Sequence, residues 1–303
     1  MRSAPVPRTV AYGTPHPVTG LSVRTRPAAI TIPPLGTRHS IIIRPGSWNT
    51  ASGYEALATN QTGNNNAAFG YWALVNNTSG ATNTAVGYKA LFAAQIVAGN
   101  PDGGTGSNNS GIGAYALYSF STGSNNTASG YEALYSLTTA GSETAMGYQA
   151  LYANTTGTFN TAVGYQALYS TTTGGYNSAV GYQALNLNTS SFNAAFGSLA
   201  LEYNTGGSAN TALGNSTLAN LTSGDNNTAV GSNALYGVYS DETGSATSTG
   251  SSNTAIGGNA LQAFTTASYN TATGASALQS DDSGSNNTAS GYESLYTNRE
   301  TMR

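Results

Sequence analysis

The sequence contains no cysteine in 303 residues, which excludes a disulfide framework and any thiolate-ligated metal site. Charge is almost as scarce. Charged residues make up 7% of the chain, against roughly 25% in an average soluble domain, so a surface of ordinary solvated helices is excluded as well. The only two histidines, His16 and His39, both fall in a proline-rich N-terminal stretch, far from any serine that recurs downstream, and a hydrolase triad therefore lacks a base. Nowhere do about 18 apolar residues run together, and no early stretch joins a basic start, an apolar run and a small-residue cleavage site. Neither a membrane span nor a cleavable leader is expected. Glycine is plentiful, at 38 residues, but it lacks the three-residue period of collagen.

The few charges are sorted along the chain. Residues 1–48 hold six arginines (Arg2, Arg8, Arg24, Arg26, Arg38 and Arg44) and no acid, a net +6. Residues 49–298 hold eleven carboxylates against Lys89 alone, a net −10, and residues 299–303 form a short tail. Eight of the nine prolines lie in 1–48, which forbids a long helix there and favours extended chain. This segment reads as an arm. Two runs inside it have strand character: Ala29, Ile30, Thr31 and Ile32, then Ser40, Ile41, Ile42 and Ile43.

Residues 49–298 are a repeat. Glycines at 53, 70, 87, 113, 130, 147, 164, 181, 197, 214, 231, 257, 274 and 291 mark fourteen copies, spaced by 17 except for one step of 16 and two of 26. Four residues after every one of them stands a leucine: Leu57, Leu74, Leu91, Leu117, Leu134, Leu151, Leu168, Leu185, Leu201, Leu218, Leu235, Leu261, Leu278 and Leu295. Asparagine stands four residues before the glycine in thirteen copies, with Glu143 as the departure, and alanine stands two before it in thirteen, with Gly111 as the exception. The unit is N-T-A-x-G-Y-x-A-L followed by a polar turn.

Seventeen residues are too few for the helix pairs of ankyrin or tetratricopeptide arrays, and Gly, Asn and Thr are poor helix formers. The period predicts an all-β fold, a β-solenoid (parallel β-roll or β-helix) of fourteen coils, each a small winding of two or three short strands. Coils stacked at about 4.8 Å give a rod of about 67 Å. Stacking aligns equivalent residues, so the leucines form a core column beside two columns of alanine, the asparagines an amide ladder, and the glycines a line of close backbone approach. The two 26-residue steps place nine extra residues near 96–105 and 237–249, expected as surface loops.

Little catalytic chemistry is legible. Gly111, Ile112, Gly113 and the residues after them match a dinucleotide fingerprint only formally, because no strand–helix unit with a distal acid surrounds them. Asp102, Asp241 and Glu242 in the inserts are too few for an oxygen-ligand cation site. The expectation is a non-enzymatic protein with no cofactor and no bound metal, and its acidic array makes nucleic acid a poor partner. The suggestive surface residues are tyrosines. Tyrosine follows the glycine in eight copies, among them Tyr131, Tyr148, Tyr165 and Tyr182, and follows the leucine in six, among them Tyr135, Tyr152 and Tyr169. In stacked coils these become aromatic ladders, a face for a glycan or a neighbouring rod, or a simple covering of the backbone.

The unit seen in Asn160, Thr161, Ala162, Val163, Gly164, Tyr165, Gln166, Ala167 and Leu168 resembles repeats of bacteriophage tail fibres and of bacterial surface proteins similar to the heads of trimeric autotransporter adhesins. That resemblance covers 49–298 and implies a parallel β-roll, a trimer and an adhesive or fibrous role outside the cell. The residues themselves favour a filament subunit. The first unit opens at Asn49 with full consensus and the last closes near Asn298, so bare coil ends are expected to stack head to tail. The +6 arm, through Arg24, Arg26, Ile30, Ile32, Arg38, Ile41, Ile42, Ile43 and Arg44, is expected to dock on the acidic body of the adjacent copy. The alternative is a trimeric tail-fibre or adhesin module that holds a surface glycan.

Overall fold

Between each Asn and Gly of the repeat lies a Thr-Ala-x tripeptide in which the outer two side chains suit extended backbone and the middle one is small enough to turn inward. In the computed structural model, which describes residues 46–93, 104–240, 245–246, 248–280 and 283–296, each of these tripeptides is a strand. Fourteen of them, from Thr50–Ser52 to Thr288–Ser290, form one parallel sheet in sequence order, and the chain winds through about 13 turns of a β-solenoid in doing so. Register is strict: Thr144 faces Thr161, Ala145 faces Ala162 and Met146 faces Val163. It survives the 16-residue step, where Ala179 faces Ala195, and both 26-residue steps, where Ala85 faces Gly111 and Ala229 faces Ala255. Beside the second insertion, Tyr239–Ser240 and Ser245–Ala246 pair as a small antiparallel hairpin off the stack. Residues 1–45 of the arm, residues 94–103 around the first insertion, and the tail lie outside the described residues. No helix among the described residues is long and apolar enough to cross a membrane.

The coils hold one strand each, not two or three. After the glycine the chain curls through overlapping turns: the Gly53 carbonyl accepts from the Ala56 N–H at 3.4 Å and the Glu55 carbonyl from the Ala58 N–H at 3.3 Å. The third residue of each turn is left-handed, Glu55 at φ 52° and Leu57 at φ 57°, the sign pattern of a type II turn. All fourteen core leucines share this conformation. A left-handed backbone costs an L-residue about 1–2 kcal/mol, and two effects offset it. Leu168 is fully buried, and its N–H reaches the Ala184 carbonyl of the next coil at 3.0 Å.

A third left-handed position precedes the Asn of each coil, or Glu143 in the one coil that lacks it. It is occupied by Asn65 and Asn108 on either side of Thr82, whose φ is 59°. A β-branched residue is the worst tenant of this region and asparagine among the best. Thr82 is exposed, so Thr82→Asn is expected to stabilise the fold by about 1 kcal/mol, read as a raised thermal midpoint. An unchanged or lower midpoint would contradict the left-handed assignment.

The core is as narrow as its columns. Ala162, Ala167 and Leu168 have no exposed surface, and their equivalents are buried along most of the stack; in the first coil Ala51, Ala56 and Leu57 are only partly buried, and Leu295 in the last described coil is 50% exposed. A second interior column stands seven residues after the glycine and mixes Asn77, Phe120, Leu137, Asn154, Thr171, Leu221 and Phe264, all buried. Beside it, the Asn ladder works through the backbone. Asn160 Oδ1 accepts the Asn177 N–H at 3.0 Å, and Asn160 Nδ2 donates to the Gly174 carbonyl at 2.9 Å. Some amides also bond each other directly, as Asn177 Nδ2 does to Asn160 Oδ1 at 3.1 Å.

Glu143 occupies this ladder as the odd member. Its N–H donates to Asn126 Oδ1 at 3.0 Å and its Oε1 accepts from the Asn160 N–H at 3.2 Å, but Oε2 is buried without a partner among the described residues. Burial pushes its carboxyl up to about 8, so the group is neutral at neutral pH.

Candidate functional surfaces

With alanine inward, the first and third residues of each strand point out. The first column is mostly threonine, a single regular line. The third is apolar over most of its length: Phe69, Val86, Ile112, Met146, Phe196, Leu213 and Ile256 are each 37–49% exposed. Val163, Val180 and Val230 continue the same line. The sequence concealed this stripe, because the position is variable and its apolar character shows only once the strand's inward and outward sides are known. Ser129 interrupts the line once, and from Met146 to Ile256 it is an unbroken apolar band, the kind of surface that other molecules cover.

The tyrosines form ladders on a different face. Tyr131, Tyr148, Tyr165 and Tyr182 stack with centroids 5.5, 5.2 and 5.3 Å apart and interplanar angles of 11°, 6° and 9°. Tyr135, Tyr152 and Tyr169 stack beside them at 5.1 Å. Where Ala114 interrupts the first ladder, Tyr115 leans in edge-on and bridges Tyr88 to Tyr131. A line of side chains one residue on joins the coils as well: Gln149 Nε2 donates to Glu132 Oε2 at 2.8 Å, Gln166 to Gln149 at 2.9 Å and Gln183 to Gln166 at 3.1 Å. A hydrogen bond to Glu132, then burial, hold the Tyr131 phenol above its ordinary range. Because each ring in these stacks covers its neighbours' faces, the ladder turns edges and hydroxyls outward. A sugar would find few free ring faces there.

Two smaller aromatic features were not foreseen. Phe159, Tyr176 and Phe192 stack at 4.9 and 5.2 Å on the left-handed corner and are more than half exposed. Lys89, the one basic residue among those described, sits over Trp72 at 4.9 Å and Tyr88 at 5.2 Å. Its charge is taken up by aromatic faces.

No protein-family model, curated protein or solved structure matches this chain. The functional reading therefore rests on its own geometry. The arm residues Arg24, Arg26, Ile30, Ile32, Arg38, Ile41, Ile42, Ile43 and Arg44 lie outside the described residues, as do Asp102, Asp241, Glu242, Asp281 and Asp282. The fingerprint glycines are explained by the array: Gly111 takes the inward alanine position of the strand Ser110–Ile112, and Gly113 belongs to the glycine column. The end coils differ from the rest. Thr50–Ser52 and Thr288–Ser290 are the outer strands of the sheet, and no described atom would lie within 4 Å of a Cβ at Gly291, whereas the other glycines of that column press on the next coil.

Proposed function

We propose that this protein is a non-enzymatic structural subunit of an extracellular filament in which solenoids stack head to tail and the basic N-terminal arm docks on the neighbouring copy. The observation that carries this reading is the uniform register. Each coil presents to the next the same strand, the same Asn amide and the same leucine and glycine columns, so an end coil is a template for the first coil of another copy. A heterologous contact of this kind does not close on itself and propagates. Charge supports the arm's role, with +6 in residues 1–48 against −10 in 49–298.

Deleting residues 1–48 tests the reading by electron microscopy. The full chain is expected to form rods of indefinite length, and the truncated chain short soluble rods of about 67 Å. Filaments that persist without the arm would overturn its role as a strap. The exposed apolar column on the sheet favours a second reading, a trimeric tail-fibre or adhesin module whose solenoids pack side by side on that face. Uniform short particles of threefold mass, formed by the full chain, would decide for it.

A further inference from the structure

The arm joins the first coil at the corner that carries the stacked rings of Phe159, Tyr176 and Phe192. Trp48 is the first coil's member of that left-handed column, with φ 58° and 66% of its surface exposed, and Gly46, the first described residue, stands two positions before it. Residues 1–45 are therefore tethered on the same edge of the rod as the three rings. Asn65, Asn108, Asn125, Asn226 and Asn286 hold this corner in other coils, and asparagine tolerates a left-handed backbone well, whereas a bulky ring tolerates it poorly. Phe159, Tyr176 and Phe192 take on that strain and still stay more than half exposed. Ser142 and Ala209 end the stack on either side, and past Ser178 and Ala194 the outward residues Val180 and Phe196 carry apolar surface onto the sheet.

Reach decides which part of the arm can cover these rings. In a head-to-tail stack, counted down from the first coil of the copy above, Asp225 lies four coils away, Phe192 six and Phe159 eight, roughly 19, 29 and 38 Å. Extended chain covers at most about 3.3–3.6 Å per residue. Ile41, Ile42 and Ile43 lie within five residues of Gly46, a reach of roughly 18 Å, and fall short of Phe192. Ile32 and Ile30 stand fourteen and sixteen residues before Gly46, a reach of roughly 46 to 58 Å, and can pass the whole stack. Two positions apart, they would project to one side of an extended chain about 7 Å from each other, and the three rings span steps of 4.9 and 5.2 Å. Charge falls in the same order. Arg38, eight residues out, can meet the exposed Asp225 on this corner before the chain arrives at Phe192. Asp225 has no basic neighbour among the described residues, where Lys89 is engaged with Trp72 and Tyr88.

We propose that the corner stack of Phe159, Tyr176 and Phe192 is the docking site of the arm, covered by residues 29–32 of the copy stacked above, with Arg38 against Asp225. The inference names the segment and the site for the assembly reading, and it rests on that reading for the copy that supplies the arm. The same residues are long enough to reach the rings along their own body, six to eight coils up, so the test separates the two sources.

Because the chain has no cysteine of its own, disulfide trapping tests this cleanly. The full chain carrying Ile32→Cys and Ala209→Cys is oxidised mildly and read on a non-reducing gel; Ala209 is exposed on the same corner, one coil from Phe192. A ladder of covalently joined chains is expected. Ile42→Cys paired with Ala209→Cys should link at least about tenfold less, since Ala209 lies roughly 24 Å from the first coil of the copy above. Replacing Phe159, Tyr176 and Phe192 by asparagine, the residue this corner holds elsewhere, should leave the circular dichroism spectrum unchanged and cut the Ile32→Cys linkage at least about fivefold. Linkage confined to single chains would support the site and overturn the neighbouring copy as the source of the arm. No linkage, equal linkage through Ile42→Cys, or undiminished linkage in the asparagine variant would each overturn the docking site, whether or not electron microscopy shows filaments.

Discussion

Replacing Gly164 by alanine is expected to cost more than about 4 kcal/mol and to divide the stack at that coil. Gly164 has φ 138°, a region that L side chains rarely adopt, and a Cβ there would stand 2.7 Å from the Gly181 carbonyl carbon and nearer still to its oxygen. The obstacle is backbone, which cannot turn aside as a side chain can. Relief requires the two coils to separate, and separation breaks the bonds from the Gly181 N–H to the Val163 carbonyl at 2.8 Å and from the Leu168 N–H to the Ala184 carbonyl at 3.0 Å. A linear array has no alternative contacts to share the load, since each coil touches only its neighbours. Gly258→Ala provides the control. Gly258 stands where other coils carry tyrosine, and the nearest atom to its Cβ would be the Ser232 carbonyl oxygen at 3.9 Å. That change is expected to be neutral or slightly stabilising through the unfolded chain. Thermal unfolding and limited proteolysis of the two variants check the contrast, with cleavage concentrated near residue 164 in the first. Equal midpoints would refute the close approach of the glycine column.

These columns were legible in the sequence for a physical reason. When residue 168 lies over residue 151, any side chain larger or smaller than leucine disturbs two layers, so the stack imposes identity at each buried position. Period, core leucines, inward alanines and the asparagine ladder all follow from that constraint. What stayed hidden is what the constraint does not fix. The interior column of Asn154, Thr171, Leu137 and Phe120 tolerates polar and apolar residues together, and so it has no sequence signature. The second glycine column, Gly157 and Gly174 among others, is interrupted by Ala140, Ser190 and Ala267. Left-handed leucines run against propensity, and no spacing argument points to them; they replace the extra strands expected in each coil by turns.

Glu143 is the residue at which local identity and stack disagree, and the disagreement should be measurable as pH dependence. Its carboxyl titrates at about 8 in the folded chain against 4.5 for an unperturbed glutamate. The acid is neutral when folded and ionised when unfolded between those values. The unfolded state therefore binds fewer protons, and stability falls as pH rises from 4.5 to about 8, flat on either side. The slope is about 1.4 kcal/mol per pH unit, up to roughly 5 kcal/mol in all. No charged group among the described residues offsets this, because the ladder neighbours facing Glu143 are Asn126 and Asn160. Glu143→Asn restores the amide that the other coils use. Its Oδ1 would accept the Asn160 N–H, and its Nδ2 would donate to the Gly157 carbonyl, as Asn160 Nδ2 donates to Gly174. The variant is expected to match the wild type near pH 4 and to exceed it by several kcal/mol at pH 9, with the difference opening between 4.5 and 8. Glu143→Gln should remove the slope while gaining less, since its longer side chain sets the amide out of line with the ladder. Thermal midpoints from pH 4 to 9 for the three proteins decide the matter, and parallel profiles would show that Glu143 is ionised inside the fold.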